Sequence, residues 1–361
     1  MTCGSCIHLP IQNYNINLYM GNNFLQIEPG RERSNRWRNF FATFVILSVI
    51  LAVGLFSSDF SENFFLHGDK FLKNTFPVSV ERDAQASVGG DVLVLPKRNF
   101  SPVLTGELIS PDQFTAGSVF VKDLETKTTL YKKNPYEIRP IASITKLMSA
   151  LVILERNPDW VSSTQVVVDD IPDTHMYAGD TYTFDELWLA ALVGSSNKAI
   201  LTLSDAVGWP REAFVERMNQ KAMELGMNNS RFVDPTGLDA GNVSTASDVV
   251  LLLEEALRNE KIKQATLTKE HNLYSNERKQ THHMWSTDWL LLGWIPNHLT
   301  GILGGKTGYI PDSGYNFVMQ TVDDDGHVID VIVLGANIHE ARFTEARDVA
   351  QSIFENYTWP E

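Results

Sequence analysis

Cysteine is almost absent from this chain. Its 361 residues contain two, Cys3 and Cys6, and none after residue 6. A single C-x-x-C with no second pair does not complete a zinc site, and the remaining chain has no sulfur for a disulfide framework. The nine histidines show no H-E-x-x-H or similar ligand spacing. His282-His283 reads as a polar loop pair, so neither a metal nor any other cofactor is expected. Basic clusters are also missing from most of the chain. Net charge is −14, and the segment up to Ser58 holds four Arg against two Glu, or +2, leaving −16 for the rest. An acidic body of this kind argues against a nucleic-acid partner, which needs clustered Lys and Arg. There is no internal repeat.

Charge is absent altogether from Asn39 to Ser58. At ~1.5 Å rise per residue a helix of this length spans a hydrocarbon core of ~30 Å. The stretch is apolar on every face and carries no helical stripe, unlike a helix packed on a protein core. Arg31, Arg33, Arg36 and Arg38 precede it, with Trp37 at the interface level, and Asp59 and Glu62 follow. The positive-inside rule then places residues 1–38 in the cytoplasm as a tail, 39–58 in the membrane and the rest outside. Ala52-Val53-Gly54 has the small-x-small form of a cleavage site, but the long N-terminal region favours a retained signal anchor.

Residues 59–112 carry scattered Pro, Gly, Ser and charge, with one short apolar run, Val92-Leu93-Val94-Leu95, and read as an extracytoplasmic linker with a strand docking on the domain that follows. Residues 113–361 read as that domain. Ser118 to Val121 and Thr129 to Tyr131 form an expected hairpin. Helices are expected from Ser143 to Leu154, after a capping box of Thr183 and Glu186, from Lys198 to Ala206, from Arg211 to Leu225, and after Thr245 and Asp248. Gly314–Val322 and Val328–Leu334 are β-rich and joined by Asp323-Asp324-Asp325-Gly326, a hairpin signal. A last helix is expected over Thr344–Tyr357. Strands at both ends and helices between them predict an α+β fold. Its antiparallel sheet pairs N- and C-terminal strands around a mostly helical insertion.

Three short motifs fall in order along this domain: Ser143-Ile144-Thr145-Lys146, Ser195-Ser196-Asn197 and Lys306-Thr307-Gly308. Ser143 and Lys146, three apart, share a helix face. A serine hydroxyl is a weak nucleophile until a base takes its proton. A lysine serves as that base if burial and a neighbouring cation lower its pKa, and Lys306 is the candidate cation. Each motif alone also has an ordinary reading, as a capped helix start, a helix stop and restart, or a turn with an edge-strand lysine. Ser195 and Asn197 fall on a break between helices, where polar side chains can sit in a cleft. On a strand, Lys306 and Gly308 point one way and Thr307 the other. Gly308 lets the backbone approach a ligand, and a free strand edge can pair with an extended peptide.

With these residues in view, the region from Thr115 to Tyr357 resembles the low-molecular-mass penicillin-binding proteins. These are D-alanyl-D-alanine carboxypeptidases and endopeptidases of the S11 serine peptidase family. The likeness extends through Arg139-Pro140-Ile141-Ala142-Ser143, Met227 to Leu238, Asn242 to Ala246 and Gly314-Tyr315-Asn316. It implies a serine peptidase acting on peptidoglycan stem peptides and inhibited covalently by β-lactams. In that reading Ser143 is acylated, Lys146 is the base, and Ser195 and Asn197 line the cleft. Lys306 and Thr307 face the substrate carboxylate, beside Gly308. The backbone N–H groups of Ser143 and Tyr309 form the oxyanion hole.

Three departures from the family pattern bear on specificity. Many such carboxypeptidases hold the free carboxylate with an Arg on the last strand. Here that place reads Gly335-Ala336-Asn337, and Arg342 follows five residues later. The stretch from Lys198 to Leu238 resembles the endopeptidase branch, which cuts cross-links. The extra β-domain and C-terminal amphipathic anchor of many carboxypeptidases are not expected, and the N-terminal helix would anchor the protein instead. A class A β-lactamase shares the motifs, but its E-x-x-L-N context has no counterpart in Asn229–Leu238, where only Asp234 is acidic. A non-catalytic penicillin-binding sensor is the reading of another class, although no motif residue is lost.

Overall fold

The computed structural model describes residues 100–360 apart from 169 and 174, together with a short antiparallel pair, Met20–Gly21 and Phe24–Leu25. The span expected at 39–58 lies outside the described residues, and among those described no helix is long and apolar enough to cross a membrane. Val94–Glu361 forms one compact unit. Its elements in chain order are β1 (Ser118–Asp123), β2 (Thr129–Lys133), α1 (Thr145–Glu155), α2 (Phe184–Leu192), α3 (Asn197–Ala206), α4 (Arg211–Glu224), α5 (Ala246–Arg258) and α6 (Glu260–Leu267). There follow β3 (Glu270–Ser275), β4 (Gln280–Trp285), β5 (Gly301–Ile310), β6 (Gly314–Val322), β7 (Val328–Ala336) and α7 (Ala341–Asn356).

The main sheet has five strands in the order β5-β6-β7-β1-β2, all antiparallel. N- and C-terminal strands meet where β7 pairs β1, with Val331 opposite Val121 and Val333 opposite Val119. Alternation then assigns the two faces. Phe120, Val318, Ile332 and Leu334 join the core beneath the helical insertion. Val119, Val121, Phe317, Met319, Val331 and Val333 pack with α7 on the other side. The result is three layers, with the motif-bearing β5 at one sheet edge.

Local signals account for several helix ends. Thr183 accepts a hydrogen bond from Glu186 N while Glu186 bonds back to Thr183 N, completing the expected capping box. Thr245 accepts from Asp248 N at the start of α5. Gly226, at φ 79°, ends α4 through the bonds Gly226 N to Met223 O and Met227 N to Ala222 O.

Several expectations change. The helix expected from Ser143 begins as a 3₁₀ turn, Ala142–Ile144, because Ala142 adopts φ 48° before the α-helical residues start at Thr145. The last helix starts at Ala341 rather than Thr344. Helix α6 and the hairpin of β3 and β4 were not foreseen. That hairpin places His282 and His283 on a strand, opposite Leu273 and Asn272, not in a loop. The apolar run Val92–Leu95 lies outside the described residues; among those described, Val103–Leu104 pairs with Tyr357–Thr358, and Leu108 and Ile109 pack on the core. Residues 100–112, read as linker, are therefore part of the compact unit.

Candidate active site

The turn before α1 is held from two sides. Gly237, at φ 84°, presses on it so closely that a Cβ there would lie 2.0 Å from Ala142 O. Gly308 of β5 approaches from the other side, where a Cβ would lie 2.8 Å from Ile141 O and 3.1 Å from Ser143 N. Both positions need a residue without a side chain, and Gly237 also needs left-handed backbone. Ser143 is half-buried at the point where these strands of chain meet.

Lys146 is fully buried one turn beyond Ser143. Its Nζ donates to Ser143 Oγ at 2.8 Å, Asn197 Oδ1 at 2.8 Å and Thr236 O at 2.8 Å. Burial lowers its pKa from 10.5 to about 7, against opposing pulls from the carboxylates of Asp234 and Asp173. Of the two causes proposed above, burial is the larger. Burial first, and then the charges of Lys146 and Arg342, push Lys306 well below the ordinary lysine range. A lysine near neutrality is a competent base at physiological pH.

The second motif occupies the expected break. Ser195 has φ 58°, a left-handed conformation uncommon for a residue with a side chain, and Ser196 caps α3 by accepting from Ala199 N. Ser195 Oγ accepts from Lys306 Nζ at 2.8 Å. Asn197 has both amide ends engaged: Oδ1 with Lys146, and Nδ2 with Pro172 O at 2.7 Å. Oδ1 thus holds the lysine, and Nδ2 carries a second N–H besides the one on Pro172 O.

On β5 the alternation holds. Lys306 turns toward Ser195, and Gly308 faces the nucleophile's turn. Thr307 Oγ1 meets Thr287 Oγ1 at 2.6 Å. A cavity of about 650 Å³ is lined by Ser143, Ser195, Thr307, Gly308 and Tyr309 on this side. Lys306 lies beneath Ser195, outside the lining.

Two supporting groups, Asp234 and Asp173, had no assigned role in the sequence, and a third, Arg342, was noted there only for its place after the last strand. Asp234 organises the loop that supplies Thr236 O. Its Oδ1 accepts from Thr236 N at 2.6 Å and Gly237 N at 2.9 Å, while Oδ2 accepts from Asp239 N and from Asn242 Nδ2. The run Asp234-Pro-Thr-Gly carries a turn signal that points to this. Asp173 Oδ2 accepts from Ser196 Oγ at 2.6 Å and Lys198 N at 2.7 Å, which ties the second motif to the preceding loop. Arg342 is buried, lines the cavity and donates to Gly308 O at 3.4 Å. Asn337, the other candidate for a substrate carboxylate, follows β7 and is exposed, outside the cavity, with its backbone N–H on Thr115 Oγ1.

A serine on a lysine base, with a second serine on a second lysine, is a constellation for acyl transfer. Residues 106–337 match the D-alanyl-D-alanine carboxypeptidase model of the S11 peptidases. This chain belongs to that family. It is 32% identical over 236 residues to the D-alanyl-D-alanine endopeptidase of Escherichia coli K12, covering 62% of this chain and 73% of the relative. It is 28% identical to the D-alanyl-D-alanine carboxypeptidase DacF of Bacillus subtilis, over 67% of this chain and 63% of the relative. Among solved structures it is similar to cefotaxime-bound penicillin-binding protein D2 of Listeria monocytogenes. That match has a TM-score of 0.58 and 28% identity, over 67% of this chain and 98% of the other. The S11 member described here is thus a serine hydrolase with a penicillin-binding, transpeptidase-like α+β fold.

Proposed function

We propose that this S11 enzyme hydrolyses the D-alanyl bond of peptidoglycan stem peptides through an acyl-enzyme on Ser143. One observation carries the reading: Ser143 Oγ lies 2.8 Å from Nζ of a buried lysine whose pKa is about 7. Neutral Lys146 takes the Ser143 proton as Oγ attacks the carbonyl carbon. The backbone N–H groups of Ser143 and Tyr309 receive the oxyanion. The C–N bond then breaks, and the leaving nitrogen takes up the proton, passed from Lys146 by way of Ser195. A water next gives a proton to Lys146 and attacks the ester. Ser143 Oγ leaves and recovers that proton. A β-lactam enters by the same first step and remains as the ester.

Release of a terminal D-alanine is the broad family activity, and Arg342 at the cavity supports recognition of its carboxylate. Cleavage of cross-links is the second reading, supported by the likeness to the E. coli endopeptidase and by the free edge of β5. Membrane anchoring through 39–58, with the catalytic domain outside the cytoplasm, is part of the proposal and rests on the charge pattern of the sequence.

The chemistry is tested by fluorescent penicillin. Ser143→Ala abolishes labelling while circular dichroism is retained, and an adduct mapped to any other residue overturns the assignment. The topology is tested by a reporter fused after Glu361. Activity only of the exported type is expected, and protection of the domain from protease in spheroplasts contradicts it.

A further inference from the structure

Arg342 stands in the first turn of α7, is 4% exposed, and has its guanidinium held at two points. Nη1 donates to Gly308 O at 3.4 Å, and Nη2 lies 2.7 Å from Nε2 of His339, in the loop between β7 and α7. A guanidinium has donors only, so His339 Nε2 is the acceptor and the proton of the neutral imidazole is on Nδ1. His339 Nδ1 is buried without a hydrogen-bond partner, and so is Arg342 Nε. Both residues line the cavity that holds Ser143. The two bonds fix the plane of the guanidinium fork and leave its other N–H groups for a ligand.

The imidazole is itself held by rings. Its centroid lies 4.2 Å from that of Trp289, 5.6 Å from that of Tyr315 and 5.6 Å from that of Phe343. Burial first and then the charge of Arg342 lower its pKa from 6.5, against a smaller opposing pull from Glu340. His339 is therefore neutral at pH 7 and above. The charged and titratable groups around the pair are Glu340 at the start of α7, Tyr315 of β6, Asp288 in the segment after β4, and Lys306 of β5. Asp288 is buried, and burial raises its pKa from 3.8 to about 6. A proton added at His339 Nε2 removes the acceptor and sets one cation against another.

We propose that neutral His339 is the positioning residue for Arg342: by accepting from Nη2 it aims the guanidinium at the substrate carboxylate, and so sets the preference for a peptide that ends in a free carboxylate. The inference rests on the D,D-peptidase reading above and names a residue that tunes its specificity. Protonation of the imidazole withdraws that support, so the preference weakens in acid. The bond broken and the proton transfers at Ser143 and Lys146 are unchanged.

The experiment uses the full chain with two peptides that end in D-alanyl-D-alanine, one as the free acid and one as the carboxamide. The readout is the ratio of kcat/KM, acid over amide, from pH 5 to pH 8. Both peptides need the same neutral Lys146, so its titration cancels in the ratio. In the wild type the ratio falls about threefold or more between pH 8 and pH 5, chiefly through KM. His339→Gln offers an Oε1 that accepts from Arg342 and does not titrate, so its ratio stays within about threefold of wild type at pH 8 and is flat across the range. His339→Phe keeps a ring against Trp289 without an acceptor and lowers the ratio about tenfold at pH 8. Thermal melting checks that each variant is folded. A wild-type ratio at pH 8 in His339→Phe overturns the proposal. A ratio in His339→Gln that still falls in acid also overturns it and assigns the titration to Asp288. A wild-type enzyme that releases D-alanine from both peptides without preference overturns it too, while the D,D-peptidase reading stands. Release from neither peptide removes that reading and the proposal with it.

Discussion

Gly308 lies against the backbone nitrogen of Ser143 with no room for a side chain between them. A Cβ on Gly308 would come 3.1 Å from Ser143 N, which is closer than such contacts normally allow. The glycine of the third motif thus sets how near β5 comes to the nucleophile. Gly308→Ala must push the strand or the turn by a few tenths of an ångström or more. A displacement of about 1 Å at a reacting centre costs ~100-fold in rate, and the 2.8 Å approach to Ile141 O makes the shift here a large one. We expect Gly308→Ala to lose on the order of 100-fold in penicillin acylation with a melting temperature close to wild type. Wild-type acylation in this variant would show that the close approach is incidental.

The buried lysine sets a pH dependence. Lys146 must be neutral to accept the Ser143 proton, and its pKa is about 7. Acylation therefore rises with pH through about 7 and levels off above it. Asp173 and Asp234 raise the Lys146 pKa, so Asp173→Asn moves the acid limb to lower pH, although Asn can still accept the cap bonds of α3. Stopped-flow acylation between pH 5 and 9 measures both profiles. A limb that does not move, or moves upward, is incompatible with Lys146 as the base.

Ser195 combines an unusual backbone with a hydroxyl on Lys306. Glycine tolerates the φ of 58° without steric cost, so Ser195→Gly removes Oγ and keeps the local fold. The expected loss is ~100- to 1,000-fold in kcat, within the range general acid–base groups supply. Comparison with Ser195→Ala separates the roles: a larger loss of melting temperature in the alanine variant identifies the backbone contribution.

A further prediction lies away from the site. Asp330 in β7 is fully buried, accepts from Gln320 Nε2 at 2.9 Å, and leaves Oδ2 without a partner. Burial raises its pKa from 3.8 to about 7. The folded state then binds more protons than the unfolded state between pH 4 and 7, so this group makes stability fall as pH rises through that window. Asp330→Asn removes the effect and stabilises by about 2 kcal/mol at pH 8, with the gain shrinking toward pH 4. Urea melts at the two pH values measure it, and a gain equal at both would exclude titration of Asp330 as the cause.

How far the sequence reaches can be judged residue by residue. The three motifs, the Thr183–Glu186 capping box and the hairpin turn at 323–326 follow from local spacing and period, which short-range geometry enforces whatever the surroundings, whereas the pairing of terminal strands was read from the order of elements along the chain. The spacing of Ser143 and Lys146 likewise put them on one face. That burial lowers the pKa of Lys146 was anticipated, but what buries it was not, because its desolvation depends on α3 and the Asp234 loop closing over it. Only the tertiary structure brought Lys306 to Ser195, 111 residues away, and Lys146 to Thr236, 90 residues away. It also placed Arg342 rather than Asn337 in the cavity and set His339 against it. None of these residues carries a local pattern that announces its position. Sequence spacing determines what shares a face of one element, whereas burial, electrostatic neighbours and the walls of a cleft arise from contacts between elements far apart in the chain.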